Sequence, residues 1–255
     1  MKRLILMGVF ALASFGAFAQ NVQLHYDFGH NLYKKEGGKD LRSRGYLTTT
    51  VEHFKADSWG STYFFVDMDY LSKSKATGKT SGVIGAYWEI SREICFWQNT
   101  KMSWLSLHVE YDGGLSKAAG SFNNAWLAGL TYSGHSKDFS KTWSLSAMYK
   151  IIPGTVDAAG KKQIHNFQIT GVWGINFAHG WCTFSGFVDF WREYRPWQDN
   201  SQFILLSEPQ FWVNLNKIKG WDKVHLSLGG EVEISNNFAG KGFYCIPTLA
   251  AKWTF

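Results

Sequence analysis

The carboxy-terminal stretch restricts the fold of this chain more than any other part of the sequence. It reads FYCIPTLAAKWTF from Phe243 to Phe255, and alternate residues form two sets of different polarity. The mainly apolar set is Phe243, Cys245, Pro247, Leu249, Ala251, Trp253 and Phe255, and the mostly small or polar set is Tyr244, Ile246, Thr248, Ala250, Lys252 and Thr254. A period of two residues is typical of a β-strand with one face in apolar surroundings. On its own, the stretch fits an edge strand of a soluble sheet as well as the closing strand of a membrane barrel.

The same alternation recurs in earlier segments of roughly ten residues, separated by turn-rich pieces. The predicted strands cover residues 21–29, 45–54, 61–71, 82–92, 101–112, 122–132, 142–152, 163–175, 181–191, 202–214, 223–235 and 243–255. The tenth is the least regular, because it contains Pro209 and its alternation fails at Leu205 and Leu206. Strands of this length are typical of transmembrane barrels, in which an even strand number places both termini on the periplasmic side. The sequence therefore predicts an all-β fold, an antiparallel up-and-down transmembrane β-barrel of about 12 strands.

The first residues of the chain have the features of a secretory signal peptide. Residues 1–3 read MKR, residues 4–18 form an apolar run, and residues 17–19 read AFA, a small-residue cleavage site. We therefore predict a signal peptide over residues 1–19 and one barrel domain over residues 20–255. The later sequence contains no apolar stretch of the ~20 residues that a transmembrane helix needs. An exported chain of this kind is a soluble periplasmic protein, a secreted protein or a membrane barrel.

Composition favours the barrel over the two soluble alternatives. Phe, Trp and Tyr make 17% of the chain, which suits aromatic girdles and a lumen lined with rings, and only 4 prolines suit a fully hydrogen-bonded sheet. Much of the basic charge lies in predicted loops, as in Lys34, Lys35, Lys39, Arg42 and Arg44. Because no continuous basic patch or nucleic-acid-binding motif is visible, this surface suits lipopolysaccharide rather than nucleic acid. We predict that the chain lies in a bacterial outer membrane, among its lipid and lipopolysaccharide.

Carboxylates and aromatic rings recur on the predicted inward face of the strands. The candidate lumen residues are Asp27, Tyr63, Asp67, Asp69, Tyr87, Glu89, Trp104, Glu110, Phe187, Asp189, Glu231 and Glu233, with Asp112 as a further carboxylate and Trp191 as a further ring. Rings offer a stacking surface worth roughly 1–3 kcal/mol per base, and carboxylates accept hydrogen bonds from sugar hydroxyls or base amines. This combination suits a neutral, aromatic, hydroxylated solute. The alternative for each residue is an ordinary water-facing lumen position without a binding role.

Metal binding and catalysis have weaker support in the sequence. His25 with Asp27, and His108 with Glu110, are predicted inward neighbours, as is His225, but no second strand of ligands is identifiable. The three cysteines lack metal-ligand spacing. We therefore predict no metal and no cofactor. Gly134-His135-Ser136 is the nearest match to a barrel hydrolase, yet it falls in a predicted periplasmic turn without a partner, so no enzymatic activity is expected.

Two segments resemble a known family of channels. Tyr46 to Asp69 reads YLTTTVEHFKADSWGSTYFFVDMD, and Tyr87 to Arg92 reads YWEISR. Their order of strand, Lys-x-Asp turn, aromatic strand and Trp-Glu-Ile strand resembles the Tsx-like nucleoside-specific channel-forming outer-membrane proteins. The chain also resembles a Bacteroides-type family of exported proteins of similar length. The positions that align are Tyr46, Leu47, Lys55, Asp57, Tyr63, Asp67 and Glu89.

The resemblance implies a channel for facilitated diffusion of small solutes, nucleosides among them, with the solute bound in the lumen. A non-conducting structural or surface-binding outer-membrane barrel is the alternative. The aromatic end of the chain is similar to the assembly signal of bacterial outer-membrane barrels. This similarity implies that the barrel assembly machinery recognises the last strand through Phe255.

Overall fold

A computed structural model describes residues 18–32, 47–70, 82–117, 120–195 and 200–255 of the chain. Strands make up almost all of it, as the period-two alternation predicted. They are β1 Phe18–Asp27, β2 Leu47–Asp57, β3 Gly60–Tyr70, β4 Val83–Ile94, β5 Leu105–Ser116, β6 Gly120–His135, β7 Lys141–Ile151, β8 His165–Phe177, β9 Cys182–Arg195, β10 Asn200–Ser207, β11 Gln210–Asn214, β12 Leu226–Asn236 and β13 Phe243–Thr254. One helical turn, α1, covers Gly29–Leu32, and short 3-10 turns cover Ala178–Gly180 and Leu215–Lys217. Among the described residues, no helix has the length and hydrophobicity to cross a bilayer.

The strands form one closed antiparallel barrel. From β1 to β9 each strand pairs with the next in sequence, β10 and β11 each pair with β9 and β12, and β12 pairs with β13. β1 pairs with β13 from Asn21 opposite Thr254 to Asp27 opposite Thr248. Closure satisfies the backbone groups that an open edge would leave without partners in lipid. The predicted all-β transmembrane barrel is therefore confirmed.

The tenth predicted strand is broken in two. β10 and β11 both lie between β9 and β12, so the thirteen strands occupy twelve places around the barrel. The break falls at Glu208 and Pro209, because proline has no N–H to donate to the ladder. The flanking bonds persist: the Glu208 N–H donates to the Phe187 carbonyl at 3.1 Å, and the Val232 N–H donates to the Pro209 carbonyl at 3.0 Å. The prediction of one continuous strand over residues 202–214 was wrong at this point.

We call the end of the barrel that holds Gln20 and Phe255 the base, and the opposite end the rim. The strands β2, β4, β6, β8 and β11 end at the base, and β1, β3, β5, β7, β9 and β12 end at the rim. A periplasmic base stays a prediction. The predicted basic loop positions from Lys34 to Arg44 lie outside the described residues. Most of the predicted signal peptide does too, although the backbone of Phe18 and Ala19 begins β1.

The outward face of the barrel is apolar. Its exposed aliphatic side chains include Leu24, Leu107, Val109, Leu130, Leu145, Ile169, Leu228 and Leu249. A belt of this kind greatly exceeds the apolar patches that soluble proteins expose. Aromatic rings flank the belt, with Trp59, Trp104, Trp143, Trp181, Trp221 and Trp253 towards the base and Tyr26, Trp126, Tyr149, Phe203 and Phe243 towards the rim. Such girdles mark the two bilayer interfaces, so the barrel spans a bacterial outer membrane.

β13 has the two faces that its sequence predicted. Leu249 is 62% exposed on the outside, whereas the inward Ile246 and Ala250 are buried. Lys252 points into the lumen, with its Nζ atom 4.1 Å from the centre of the Trp212 ring. The N–H of Phe255 donates to the Gln20 carbonyl at 2.9 Å, and its ring is 71% exposed at the base.

Candidate functional site

The barrel interior is lined by polar side chains. Strand alternation places Asn21, Gln23, His25 and Asp27 of β1 inward, and all four are buried. The same holds for the hydroxyl-bearing residues of β7, for Asn166 and Gln168 of β8, and for Asp112, Asp189 and Glu233. Because the outward faces are apolar, these polar groups can meet water only in the lumen. The lumen is therefore the candidate functional site.

A row of rings and carboxylates runs across β2, β3 and β4 near mid-height. The Tyr63 hydroxyl donates to Glu52 Oε1 at 2.6 Å, and the Tyr87 hydroxyl donates to Glu89 Oε1 at 2.7 Å. Phe65 lies between the two tyrosines, with ring centres 6.1 Å from Tyr63 and 5.9 Å from Tyr87. We call Glu52, Tyr63, Phe65, Tyr87 and Glu89 the aromatic row. It offers ring faces beside hydrogen-bond acceptors.

Further carboxylates lie next to this row and are held by neutral donors. The Thr50 hydroxyl donates to Asp67 at 2.5 Å, and the Thr48 hydroxyl donates to Asp69 at 2.7 Å. On the far wall, the Gln210 amide donates to Glu231 at 2.8 Å. Neutral donors thus orient the Asp67 and Glu231 carboxylates. Each can therefore attract a cation or accept a hydrogen bond from a solute.

The described lumen carries a large excess of negative charge. Its acidic side chains are Asp27, Glu52, Asp67, Asp69, Glu89, Glu93, Glu110, Asp112, Asp189, Glu193, Glu208, Glu231 and Glu233. The inward basic side chains of the described strands are Lys150, Arg195 and Lys252, with His25 and His108 as titratable additions. Rings of acidic side chains favour cations in channels. The interior therefore repels anions.

Trp212 fills the lumen towards the base. Its side chain is 0% exposed, and its Nε1–H donates to Gln210 Oε1 at 3.0 Å. The Lys252 ammonium lies over one face of the ring, and the His25 ring meets it edge-on at 6.1 Å. This contact joins side chains of β1, β11 and β13, which lie on one arc of the wall, and it fills part of the lumen there.

An apolar cluster lies inside the barrel towards the rim. It consists of buried Trp191, Ile204 and Leu206, with Phe187 and Phe238 packed against them. Phe238 belongs to the loop after β12 and meets the Trp191 ring edge-on, with ring centres 5.9 Å apart. This cluster covers part of the lumen mouth with apolar surface. Solutes entering from the rim therefore meet apolar rings before the acidic middle.

His108 connects two carboxylates across β4 and β5. Its Nδ1 lies 2.6 Å from Glu93 Oε1, and its Nε2 lies 3.2 Å from Glu110 Oε2. Because carboxylates accept hydrogen bonds, the imidazolium form satisfies both contacts together. Glu93 also accepts from Ser106 at 2.5 Å and from Thr131 at 2.9 Å. Both nitrogens are thus engaged in ion pairs, which leaves neither ready to ligate a metal.

The hydrolase-like segment at the base has no catalytic geometry. The Ser136 hydroxyl donates to Asp138 at 2.6 Å, and the His135 ring stacks on Phe139. A serine nucleophile needs a histidine nitrogen within hydrogen-bond reach. Hydrogen bonds from the Ser136 and Ser140 hydroxyls instead lower the pKa of Asp138 to about 2. Ser136 therefore belongs to a turn that the Asp138 carboxylate stabilises.

All but one of the predicted lumen residues face the interior. Trp104 is the exception: it is 44% exposed and packs on the outward Tyr132, with ring centres 5.5 Å apart. β5 begins at Leu105, so Trp104 lies in the preceding turn, where alternation no longer fixes the side-chain direction. His225 was misplaced for the same reason. It precedes β12 and lies against the outward Trp253.

Several residues of the lumen were missed from the sequence. Trp212 and Glu208 flank Pro209, where the alternation is interrupted, so their direction was undetermined. Glu93 lies just beyond the predicted end of the fourth strand. Lys150 occupies an inward position of β7, in phase with Ser144, Ser146 and Met148, and extending the period-two pattern to the polar face would have found it.

Comparison with known proteins agrees with the architecture. The model of a family described as a domain of unknown function, DUF5020, matches residues 19–255, and the chain belongs to this family. No curated protein matches the sequence. The solved NanC porin is similar over 92% of this chain and 100% of its own, at 8% identity and a TM-score of 0.55.

Two further structures are more distant. LpxR from Salmonella typhimurium aligns over 93% of this chain and 100% of its own at 10% identity, with a TM-score of 0.43. The outer membrane channel DcaP of Acinetobacter baumannii aligns over 83% of this chain and 63% of its own at 14% identity, with a TM-score of 0.37. Only the likeness to NanC is strong enough to bear on the fold. It supports an outer-membrane barrel and does not extend to nucleoside specificity.

Proposed function

We propose that this member of the DUF5020 family is an outer-membrane channel that passes small hydrophilic solutes by facilitated diffusion, without chemistry. The observation that best supports this function is the closed barrel, whose interior is lined by polar and mainly acidic side chains. Buried carboxylates are costly unless they meet water, a cation or a donor. Neutral donors hold the lumen carboxylates Asp67 and Glu231 in place. A solute pathway is the role that such a lining serves best.

Nucleosides are our proposed solute class. The aromatic row supports this proposal, because Tyr63, Phe65 and Tyr87 present ring faces beside the carboxylates of Glu52 and Glu89. A base can stack on a ring while its sugar hydroxyls donate to a carboxylate. The resemblance of residues 46–69 to nucleoside-specific channels points the same way.

A non-conducting barrel is the second candidate. Trp212 near the base and the Trp191 cluster near the rim both reduce the free cross-section of the lumen. If the two together close the path, the barrel would serve a structural or surface-binding role. The uptake experiment below distinguishes the two functions.

The test is solute uptake by liposomes that contain the purified, folded barrel. We expect nucleosides to enter faster than sugars or amino acids of similar size, and protein-free liposomes to exclude all three classes. Equal rates would indicate a general small pore. No uptake of any class, with folded protein present, would favour the non-conducting barrel.

Asp67→Asn combined with Asp69→Asn should change selectivity and leave assembly intact. Asparagine keeps the oxygen that accepts from Thr50 and Thr48, so the strand pairing is retained while two negative charges are lost. We expect the cation-to-anion permeability ratio in planar bilayers to fall about threefold. Phe64→Leu, an outward change on the same strand, should leave the ratio unchanged. An unaltered ratio in the double variant would remove these aspartates from the solute pathway.

Deleting Phe255 should impair assembly more than it alters transport. The residue closes the β1–β13 seam through its N–H and exposes its ring at the base. In cells that carry the assembly machinery, we expect several-fold less folded protein in the outer membrane, measured by heat-dependent migration on a denaturing gel. Phe243→Ala, an exposed aromatic at the rim end of the same strand, is the matched control. Normal assembly with altered selectivity would contradict a role of Phe255 in recognition.

A further inference from the structure

Three carboxylates converge on one side of the lumen, between β4 and β5. Glu89 and Asp112 are direct partners in the strand register, and Glu110 is the next inward residue on β5. One oxygen from each lies within 4.8 Å of the others. Like charges directly opposite each other in a sheet are destabilising. We call Glu89, Glu110 and Asp112 the carboxylate triad.

Each member of the carboxylate triad uses one oxygen in a hydrogen bond or ion pair. Tyr87 donates to Glu89 Oε1 at 2.7 Å, His108 contacts Glu110 Oε2 at 3.2 Å, and Lys150 contacts Asp112 Oδ2 at 3.4 Å. These contacts fix the three side chains from outside the triad. Of the remaining oxygens, Asp112 Oδ1 is buried and has no hydrogen-bond partner.

Asp112 gives a second, independent indication that a ligand binds at the carboxylate triad. The residue is 2% exposed, and its Oδ1 atom is buried without any hydrogen-bond partner. Leaving a buried acceptor unsatisfied costs about 1–3 kcal/mol, and more when the group is charged. Its neighbours in the triad are carboxylates, which have no proton to donate when ionised. A cation removes this cost.

The acidic side chains in and beside the carboxylate triad outnumber the basic side chains that contact them. Four acidic side chains, Glu89, Glu93, Glu110 and Asp112, meet two basic side chains, His108 and Lys150. Asp189 adds further negative potential, because it interacts electrostatically with Glu89. Lys150 cannot neutralise the triad alone, since its Nζ also donates to Gln168 at 2.7 Å.

We infer that the carboxylate triad binds a divalent cation and that calcium is the ion it fits. Calcium accepts carboxylate oxygens at about 2.3–2.6 Å, so two of its ligands can lie up to about 5 Å apart. One oxygen from each member of the triad lies within 4.8 Å of the others, a spread that one calcium ion can bridge. Magnesium retains its waters more strongly and is bound less often by protein carboxylates alone. Waters of the lumen complete the coordination shell.

The test is calcium binding to the purified, folded barrel in detergent. We expect titration calorimetry to detect one calcium site. Calcium at about a hundredfold excess over its Kd should raise the thermal unfolding midpoint by roughly 5 °C, whereas sodium chloride of equal ionic strength should not. Magnesium should bind at least about tenfold more weakly. The measurement uses no solute transport, so its outcome is separate from that of the proposed channel function.

Charge-matched variants locate the site. Glu110→Gln with Asp112→Asn should weaken calcium binding at least about tenfold, and Glu89→Gln alone should weaken it by a smaller factor. Glu231→Gln removes a lumen carboxylate outside the triad and should keep the affinity. Absence of calcium binding to the unaltered protein would overturn the inference. An equal loss of calcium affinity in Glu231→Gln would also overturn it. So would a barrel that low pH stabilises and calcium does not, because the carboxylates would then share protons. If the double variant does not fold, Glu89→Gln and the unaltered protein decide the question.

Discussion

Gly129→Ala is expected to abolish the folded barrel. Gly129 lies on β6 between the inward Leu127 and Thr131, opposite Met148 of β7. A Cβ atom at this position would lie 2.0 Å from the Ala147 carbonyl oxygen and 2.7 Å from the Met148 Cα atom. Both contacts are with backbone, so relief requires β6 and β7 to separate. We expect a loss of at least about 3 kcal/mol in the free energy of unfolding, at or beyond the usual range for overpacking.

Heat-dependent gel migration and urea unfolding measure this effect. The control is Gly85→Ala on β4, where an added Cβ would meet its nearest neighbour, Asp69 Oδ2, at 3.6 Å. This distance is an ordinary van der Waals contact, so the control should fold. A folded Gly129→Ala barrel of unaltered stability would contradict the close approach of β6 and β7.

Trp212→Ala should both destabilise the barrel and widen its lumen. The side chain is fully buried beneath the Lys252 ammonium and beside His25, and no neighbouring group can fill its volume. Truncating a buried tryptophan costs about 3–5 kcal/mol. The same truncation removes the contact between β1, β11 and β13 inside the channel. We expect single-channel conductance to rise at least about twofold, in keeping with rings that constrict a pore.

Trp212→Phe separates the two effects. Phenylalanine keeps most of the volume and the ring face for Lys252 but loses the Nε1–H bond to Gln210. Its conductance should stay close to that of the unaltered protein, and its stability should fall by about 1 kcal/mol, as for one hydrogen bond. An unchanged conductance in Trp212→Ala would place the narrowest point elsewhere, with the Trp191 and Phe238 cluster as the next position to test.

The sequence predicted wall residues well, because a strand in a barrel has only two faces. Asp67 and Asp69 cannot both face hydrocarbon, so their direction followed from spacing alone. Prediction failed where a strand stops or breaks. Trp104 lies one residue before β5, and Trp212 follows a proline, so neither direction is fixed by alternation.

Contacts between distant strands inside the lumen could not be predicted from the sequence, for a different reason. Trp212, Lys252 and His25 meet because β1, β11 and β13 curve around one interior, yet they lie far apart in the chain. The carboxylate triad combines two strands whose relative register is set by pairing along their whole length. Period and composition describe each strand separately and carry no information about register or the width of the closed barrel.

The acidic lining makes the barrel interior a fixed-charge compartment. Electroneutrality requires mobile counterions to match the unpaired wall carboxylates, whatever salt surrounds the cell. When the outside solution is dilute, the screening length grows to about 30 Å and charges in the lumen interact more strongly. Mobile cations are therefore expected to outnumber mobile anions inside the barrel whenever its carboxylates are ionised.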